Sequence, residues 1–227
     1  MKLLIDDAHL ADIKKIYEFF PVAGVTTNPT ILSKIGGNPF DTLREIRAFI
    51  GDAADLHVQA VSRNAERIVE EANHIVDVLG ANTYVKIPAV PEGFKAMKIL
   101  SAAKKISVTA TAIYTPMQAF IAGQCGANYA APYVNRIDNL GFNGLRVAQE
   151  IQEIFLSNDM KTEVIAASFK NSQQVLELCK FGVGAATLAP EIFFALVKNA
   201  AIDSAVENFI ADFEKFAGKD KNMLDFN

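Results

Sequence analysis

Thr83-Tyr84-Val85-Lys86-Ile87-Pro88 reads as a short apolar strand with a lysine set inside it. An unpaired ammonium is costly to desolvate, so such a side chain either escapes to water or loses its proton more easily. A lysine with a depressed pKa is a nucleophilic amine near neutral pH, and amines of that kind form Schiff bases with carbonyl compounds. Taken alone, the stretch also fits a lysine at a strand end that points into water. The segments on either side bear on the choice.

Short apolar, β-branched runs recur along the chain at Leu3–Asp6, Gly24–Asn28, Leu56–Ala60, Thr83–Pro88, Ser107–Ile113, Tyr129–Val134, Glu163–Ser168 and Ala185–Pro190. Longer amphipathic segments separate them. In Ser62–Leu79, the side chains Ala65, Ile68, Val69, Ala72, Ile75, Val76 and Leu79 form one stripe at helical spacing, opposite Arg63, Glu66, Arg67, Glu70 and Asp77. Asn171 and Ser172 suit the start of another helix that Gly182 would stop. Eight strands each followed by a helix, without a linker or low-complexity tract, predict an α/β fold: a single (β/α)8 TIM barrel. A doubly wound open sheet is the alternative, but its glycine-rich turn after the first strand is replaced here by Asp6-Asp7-Ala8-His9. We place the barrel domain at residues 1–201. A C-terminal region, 202–227, adds the amphipathic helix Ile202–Phe216 and the polar tail Gly218–Asn227, packing on the barrel or on a neighbouring subunit.

Composition narrows the function. The 227 residues carry a net charge of −4 and 21% charged residues, which gives no basic footprint for nucleic acid. The start of the chain reaches Asp6 and Asp7 too early for a signal peptide. The uncharged stretch Ile106–Asn135 is broken by Pro116, Gly123, Gly126 and Pro132, so no membrane span is expected. The two cysteines, Cys125 and Cys179, stand in unrelated contexts and fit a reducing, cytoplasmic setting. His9, His57 and His74 lack ligand spacing, so neither a metal nor another cofactor is expected.

Strand alternation sorts the polar residues. With Val85 and Ile87 towards the helices, Lys86 faces the barrel interior, as do Asp6 and Gln59 by the same parity. Thr26 and Asn28 share one face of the second strand, Thr109 and Thr111 one face of the fifth. Tyr133 and Ser168 stand at the ends of the sixth and seventh, while His57 has the parity of Gln59 but lies deeper. Seven strands thus deliver a hydrogen-bonding group to the C-terminal rim, where barrel enzymes build their active sites. Asn135-Arg136-Ile137-Asp138 reads as a turn that adds a guanidinium suited to phosphate, or alternatively to a surface pair with Asp138. Asp7, of opposite parity to Asp6, reads as the cap of the first helix.

Four blocks together resemble the small transaldolase-like family, in its fructose-6-phosphate aldolase branch. They are Ala23-Gly24-Val25-Thr26-Thr27-Asn28-Pro29, Val85-Lys86-Ile87-Pro88, Ala131-Pro132-Tyr133-Val134-Asn135-Arg136-Ile137-Asp138 and Ala166-Ala167-Ser168-Phe169-Lys170. The resemblance implies that Lys86 forms the Schiff base, that Asp6 and Asn28 belong to the site, and that Arg136 and Ser168 hold a phosphate. Transaldolases of this size tend to carry glutamate on strand three and phenylalanine on strand six. Gln59 and Tyr133 match the aldolases instead, as does Thr111-Ala112-Ile113-Tyr114. Ile5-Asp6-Asp7 departs from the commoner Asp-Thr or Asp-Ser continuation.

The reaction so implied is reversible cleavage of fructose 6-phosphate to dihydroxyacetone and glyceraldehyde 3-phosphate. Lys86, Tyr133, Asp6, Gln59 and Thr111 are the expected catalytic set, and Asn28, Thr26, Arg136 and Ser168 the expected substrate-binding set. Transfer of a dihydroxyacetone unit between sugar phosphates is the alternative, and a non-catalytic sugar-phosphate-binding barrel a third. The only partner implied beyond the sugar phosphate is the chain itself, as a homo-oligomer, a decamer of pentameric rings.

Overall fold

The computed structural model describes residues 1–80, 82–103 and 105–226. Eight parallel strands close into a barrel in sequence order: β1 (Lys2–Asp6), β2 (Gly24–Thr26), β3 (Asp55–Gln59), β4 (Thr83–Pro88), β5 (Ser107–Ile113), β6 (Tyr129–Pro132), β7 (Glu163–Ala166) and β8 (Ala185–Leu188). Closure is made where β1 pairs with β8, from Lys2 opposite Ala185 to Ile5 opposite Leu188. The (β/α)8 barrel expected from the strand pattern is therefore present. The helices are α1 (Leu10–Phe19), α2 (Pro29–Ile35), α3 (Pro39–Ile50), α4 (Ala65–Leu79), α5 (Pro91–Ala103) and α6 (Pro116–Gln124). They continue with α7 (Val134–Asn139), α8 (Gly144–Ser157), α9 (Ser172–Phe181), α10 (Pro190–Val197) and α11 (Ala200–Ala217). Among the described residues two helices, rather than one, follow β2, β6 and β8.

Local sequence accounts for most of these elements. In α4, Ala65, Ile68, Ala72, Ile75 and Leu79 are buried, and Asn64 Oδ1 accepts from Arg67 N at 2.9 Å to cap the first turn. Burying Ile68, Ile75 and Leu79 stabilises the fold by roughly 1.5–3 kcal/mol each. Asn171 caps α9 as expected, and Gly182 ends it in the left-handed conformation at φ 89°. Asp7 does not cap α1: its Oδ1 accepts from Ala8 N and His9 N in the preceding turn, and His9 is the cap position. Two glycines permit close approach. A Cβ on Gly24 would lie 2.1 Å from Asp55 O, so β2 could not sit against β3 with any other residue there. One on Gly93 would lie 2.0 Å from Pro88 O, which is how α5 packs onto the end of β4.

Several strands stop sooner than their apolar runs suggest. Asn28 lies beyond β2, as the cap of α2, because Pro29 opens the helix and holds its predecessor extended. Tyr133 caps α7 after β6 ends at Pro132, and keeps one isolated bridge to Ala167. Ser168 lies past the end of β7, and the expected turn at 135–138 is part of the short helix α7. The barrel interior holds Leu4, Tyr129, Ala131, Ile165 and Ala185, with Tyr84 packed against them. Ile87 faces the helices, since its Cγ2 would meet a Cβ at Gly93.

The chain divides into two compact units, Met1–Phe193 and Phe194–Asn227. Within the second, α11 starts at Ala200, two residues before its apolar pattern, because Asn199 Oδ1 caps it through Ala201 N. Phe213 packs edge-on against Phe216 and Phe226, and Asn222 and Asp225 cap a 3₁₀ turn reciprocally. Asn227, the last residue of the expected tail, lies outside the described residues. Among the described residues no helix is long and apolar enough to cross a membrane.

Candidate active site

The register of five strands, β1 to β5, assembles the centre of the site. Lys86 lies opposite Gln59 on β3 and Thr109 on β5, while Asp6 and His57 flank Thr26. Partners in a parallel ladder point the same way, so the parity that turns Lys86 inward turns Gln59 and Thr109 inward with it. Lys86 is only 5% exposed, and its Nζ donates to the carbonyl oxygen of Thr27 at 2.8 Å. Burial takes this amine below the usual lysine range; the carboxylate of Asp6 works against that, and the guanidinium of Arg136 adds to it.

Asp6 is shifted in the opposite sense. Burial raises its carboxyl above the ordinary aspartate range, with Lys86 and a hydrogen bond from Thr26 opposing. Thr26 Oγ1 donates to Asp6 Oδ1 at 2.7 Å and lies 2.7 Å from Thr187 Oγ1. One hydroxyl has one proton, so with Thr26 donating to the carboxylate, Thr187 must donate to Thr26. The result is a directed chain from β8 through β2 to β1. Sequence reading omitted Thr187, although it is the polar, inward-paired residue of β8, opposite Leu4. It also could not anticipate the main-chain carbonyl of Thr27, which has no side-chain signature.

Beneath Lys86, His57 is fully buried. Its Nδ1 lies 2.9 Å from Thr109 Oγ1, its ring stacks on Tyr84 at 4.6 Å, and Nε2 has no partner among the described residues. Burial first, then the nearby Lys86, holds its pKa well below the usual histidine value. The unfolded chain takes up a proton at this residue below about pH 6.5, and the folded chain does not. Stability is therefore expected to fall as pH drops below that value, by up to about 1.4 kcal/mol per unit at this residue, with no contribution above it. Thermal melts between pH 5 and 7 check this: His57→Phe should flatten the acid decline, and an unchanged slope would contradict the assignment.

At the rim, Thr111 Oγ1 and Tyr133 Oη are 2.7 Å apart. The Arg136 guanidinium lies over the Tyr133 ring, 4.7 Å from its centroid, and Tyr114 meets the same ring edge-on. Arg136 does not pair with Asp138, whose oxygens accept from Gly144 N and Gln174 Nε2. An open recess of about 420 Å³ lies beside it, lined by Tyr114, Arg136, Asn139 and Leu140. Asn28 Oδ1 is engaged by Ile31 N at 3.0 Å, which fixes the carboxamide at the head of α2. Ser168 sits in the left-handed region at φ 63°, and its carbonyl accepts from Asn135 N at 2.7 Å, joining the ends of β7 and β6.

A family model described as Transaldolase/Fructose-6-phosphate aldolase matches residues 3–225. The chain belongs to this transaldolase/fructose-6-phosphate aldolase family. It is also 34% identical over 224 residues to a protein of Nitrosopumilus maritimus (strain SCM1) named "Probable transaldolase", covering 98% of this chain and 99% of that one. Membership in the transaldolase/fructose-6-phosphate aldolase family carries aldolase- or transaldolase-type activity, without separating the two.

Proposed function

We propose that the chain is a Schiff-base aldolase that cleaves fructose 6-phosphate reversibly into dihydroxyacetone and glyceraldehyde 3-phosphate, with Lys86 as the nucleophile. The observation that carries this reading is the buried amine of Lys86, held below the usual lysine range and tied to Thr27 O. The neutral amine attacks the C2 ketone, and loss of water gives an iminium ion. Electrons of the C3–C4 bond flow to that iminium as a base takes the C4 hydroxyl proton, so glyceraldehyde 3-phosphate leaves and an enamine remains. Protonation at C3 and addition of water then release dihydroxyacetone and restore the amine.

Tyr133 and Thr111, in mutual hydrogen bond, are the proposed proton-handling pair, with Gln59 positioning the water. An amide cannot exchange a proton at neutral pH as glutamate can, so Gln59 acts by hydrogen bonding alone. Asp6 binds the substrate hydroxyls or takes the C4 proton, and Thr26 orients it. Asn28 offers its amide to the sugar, and Arg136 and Ser168 hold the phosphate at the rim.

The name of the Nitrosopumilus relative favours a second reading, transfer of the dihydroxyacetone unit to another aldose phosphate. The two separate in one assay. The aldolase reading expects net release of dihydroxyacetone from fructose 6-phosphate to exceed transfer to erythrose 4-phosphate; the reverse ratio would overturn it. Borohydride with dihydroxyacetone should fix a mass adduct on Lys86, and absence of that adduct would leave only a binding protein. We further propose self-association through α11, which presents Ile202, Val206, Phe209, Ile210, Phe213 and Phe216 at helical spacing. Truncation after Asp203 should lower the mass in solution.

A further inference from the structure

β5 departs from regular pairing on one side. Towards β4 its ladder is unbroken, from Tyr84 opposite Ser107 to Pro88 opposite Thr111. Towards β6, Ala110 stands opposite Ala130, and the next pair is Ile113 opposite Pro132. Thr111 and Ala112 therefore face the single residue Ala131, so β5 carries one extra residue there. Ala112 absorbs it with φ at 56°, in the left-handed region that a residue with a Cβ enters only under strain. Neither glycine nor asparagine, the residues that take this conformation easily, is present.

The extra residue changes what the strand presents. Strict alternation would turn Ile113 into the barrel mouth beside Thr111. Ile113 is instead completely buried in the core. Thr111 meets Tyr133 at 2.7 Å, and Tyr133 N donates to Ile113 O at 3.1 Å. Regular pairing would have set Ile113 opposite Tyr133, whereas it stands opposite Pro132, one residue earlier. Both ends of the Thr111–Tyr133 contact are thus referred to the same kink.

We propose that Ala112 is a positioning residue whose left-handed backbone, not its side chain, brings the Thr111 hydroxyl onto the Tyr133 hydroxyl for proton handling. The proposal rests on the aldolase reading given above. Lys86 is not involved, because the β4–β5 ladder that carries it is regular.

Substitutions at Ala112 separate backbone conformation from bulk. Ala112→Val cannot hold a positive φ and should straighten the strand. Ala112→Asn is of similar size and tolerates the conformation. The valine variant should lose about 10²-fold in kcat for fructose 6-phosphate cleavage, as expected for a disarmed acid–base pair. Its KM should stay within about threefold, with the Lys86 adduct still trapped by borohydride and dihydroxyacetone. Ala112→Asn and Ala112→Gly should keep kcat within about threefold. Thr111→Val should match the valine variant, and the double variant should be no slower than Thr111→Val alone.

Wild-type kcat in a folded Ala112→Val would overturn the proposal, as would multiplied losses in the double variant. Should the valine variant fail to fold, a folded Ala112→Asn or Ala112→Gly with a tenfold loss would overturn it equally. A wild-type chain that neither forms the adduct nor cleaves the sugar defeats the aldolase reading itself. That result is distinct from an active wild type indifferent to Ala112.

Discussion

Replacing Lys86 with methionine is expected to abolish the borohydride-trapped adduct and to lower kcat/KM for fructose 6-phosphate by about 10⁴-fold or more, the scale seen when a covalent nucleophile is removed. No neighbour can substitute. The residues paired with Lys86, Gln59 and Thr109, carry an amide and a hydroxyl. The same substitution should leave the melting temperature unchanged or raise it at pH 7. Because burial depresses the pKa of Lys86, the unfolded chain binds a proton that the folded chain gives up between the depressed value and about 10.5. Through that window the lysine costs stability, less as pH rises, and methionine of similar volume removes the cost. Part of the gain is offset at Asp6, which loses the cation that opposes its own desolvation. A trapped adduct in the methionine variant, or a melting temperature lowered by more than about 5 °C, would show that Lys86 is a structural residue.

The barrel was legible because its strands are short apolar runs bounded by polar turns, and because each is followed by a helical pattern. The inward set Asp6, Gln59 and Lys86 followed from alternation alone, which holds wherever a strand stays regular. Alternation gives no guidance beyond a strand end. Asn28 is a helix cap before a proline, Tyr133 opens α7, and Ser168 is set by a left-handed backbone, so their side-chain directions depend on local geometry. The 135–138 segment was read as a turn because a six-residue helix is too short to display a period. Asp7 had the right residue type for a cap, yet bonds to the turn before the helix.

Two features left no trace in the residue types. The acceptor for Lys86 is a main-chain carbonyl, and any residue at position 27 would supply one. The kink in β5 falls on alanine, where a strand signal continues without interruption. Charge placement, by contrast, was visible but read incompletely. Arg136 was read as suited to phosphate or to a pair with Asp138; Asp138 instead joins α7 to α8 and α9, and the guanidinium rests on the Tyr133 ring. The arginine at the rim and the tyrosine of the proposed proton-handling pair are thus one stacked unit, and a substitution at either is felt by the other.

Phenylalanine in place of Tyr133 tests that unit by removing a single oxygen. The ring remains, so its contacts with Arg136 and Tyr114 are retained, and the hydroxyl that meets Thr111 is lost. Cleavage of fructose 6-phosphate is expected to slow by about 10²–10³-fold, with KM within about threefold because no phosphate or sugar contact is touched. The buried Thr111 hydroxyl is left without its partner, at a cost of about 1 kcal/mol in stability, too little to unfold the barrel. Lys86 keeps its hydrogen bond to Thr27 O, so the dihydroxyacetone adduct should still be trapped, at wild-type yield on long incubation. With protonation and hydrolysis of the enamine slowed, an added aldehyde phosphate should capture more of it, and the ratio of transfer to release should rise. Full cleavage activity in the variant would remove Tyr133 from the proposed mechanism. Loss of the adduct together with activity would place the tyrosine in Schiff-base formation rather than after it.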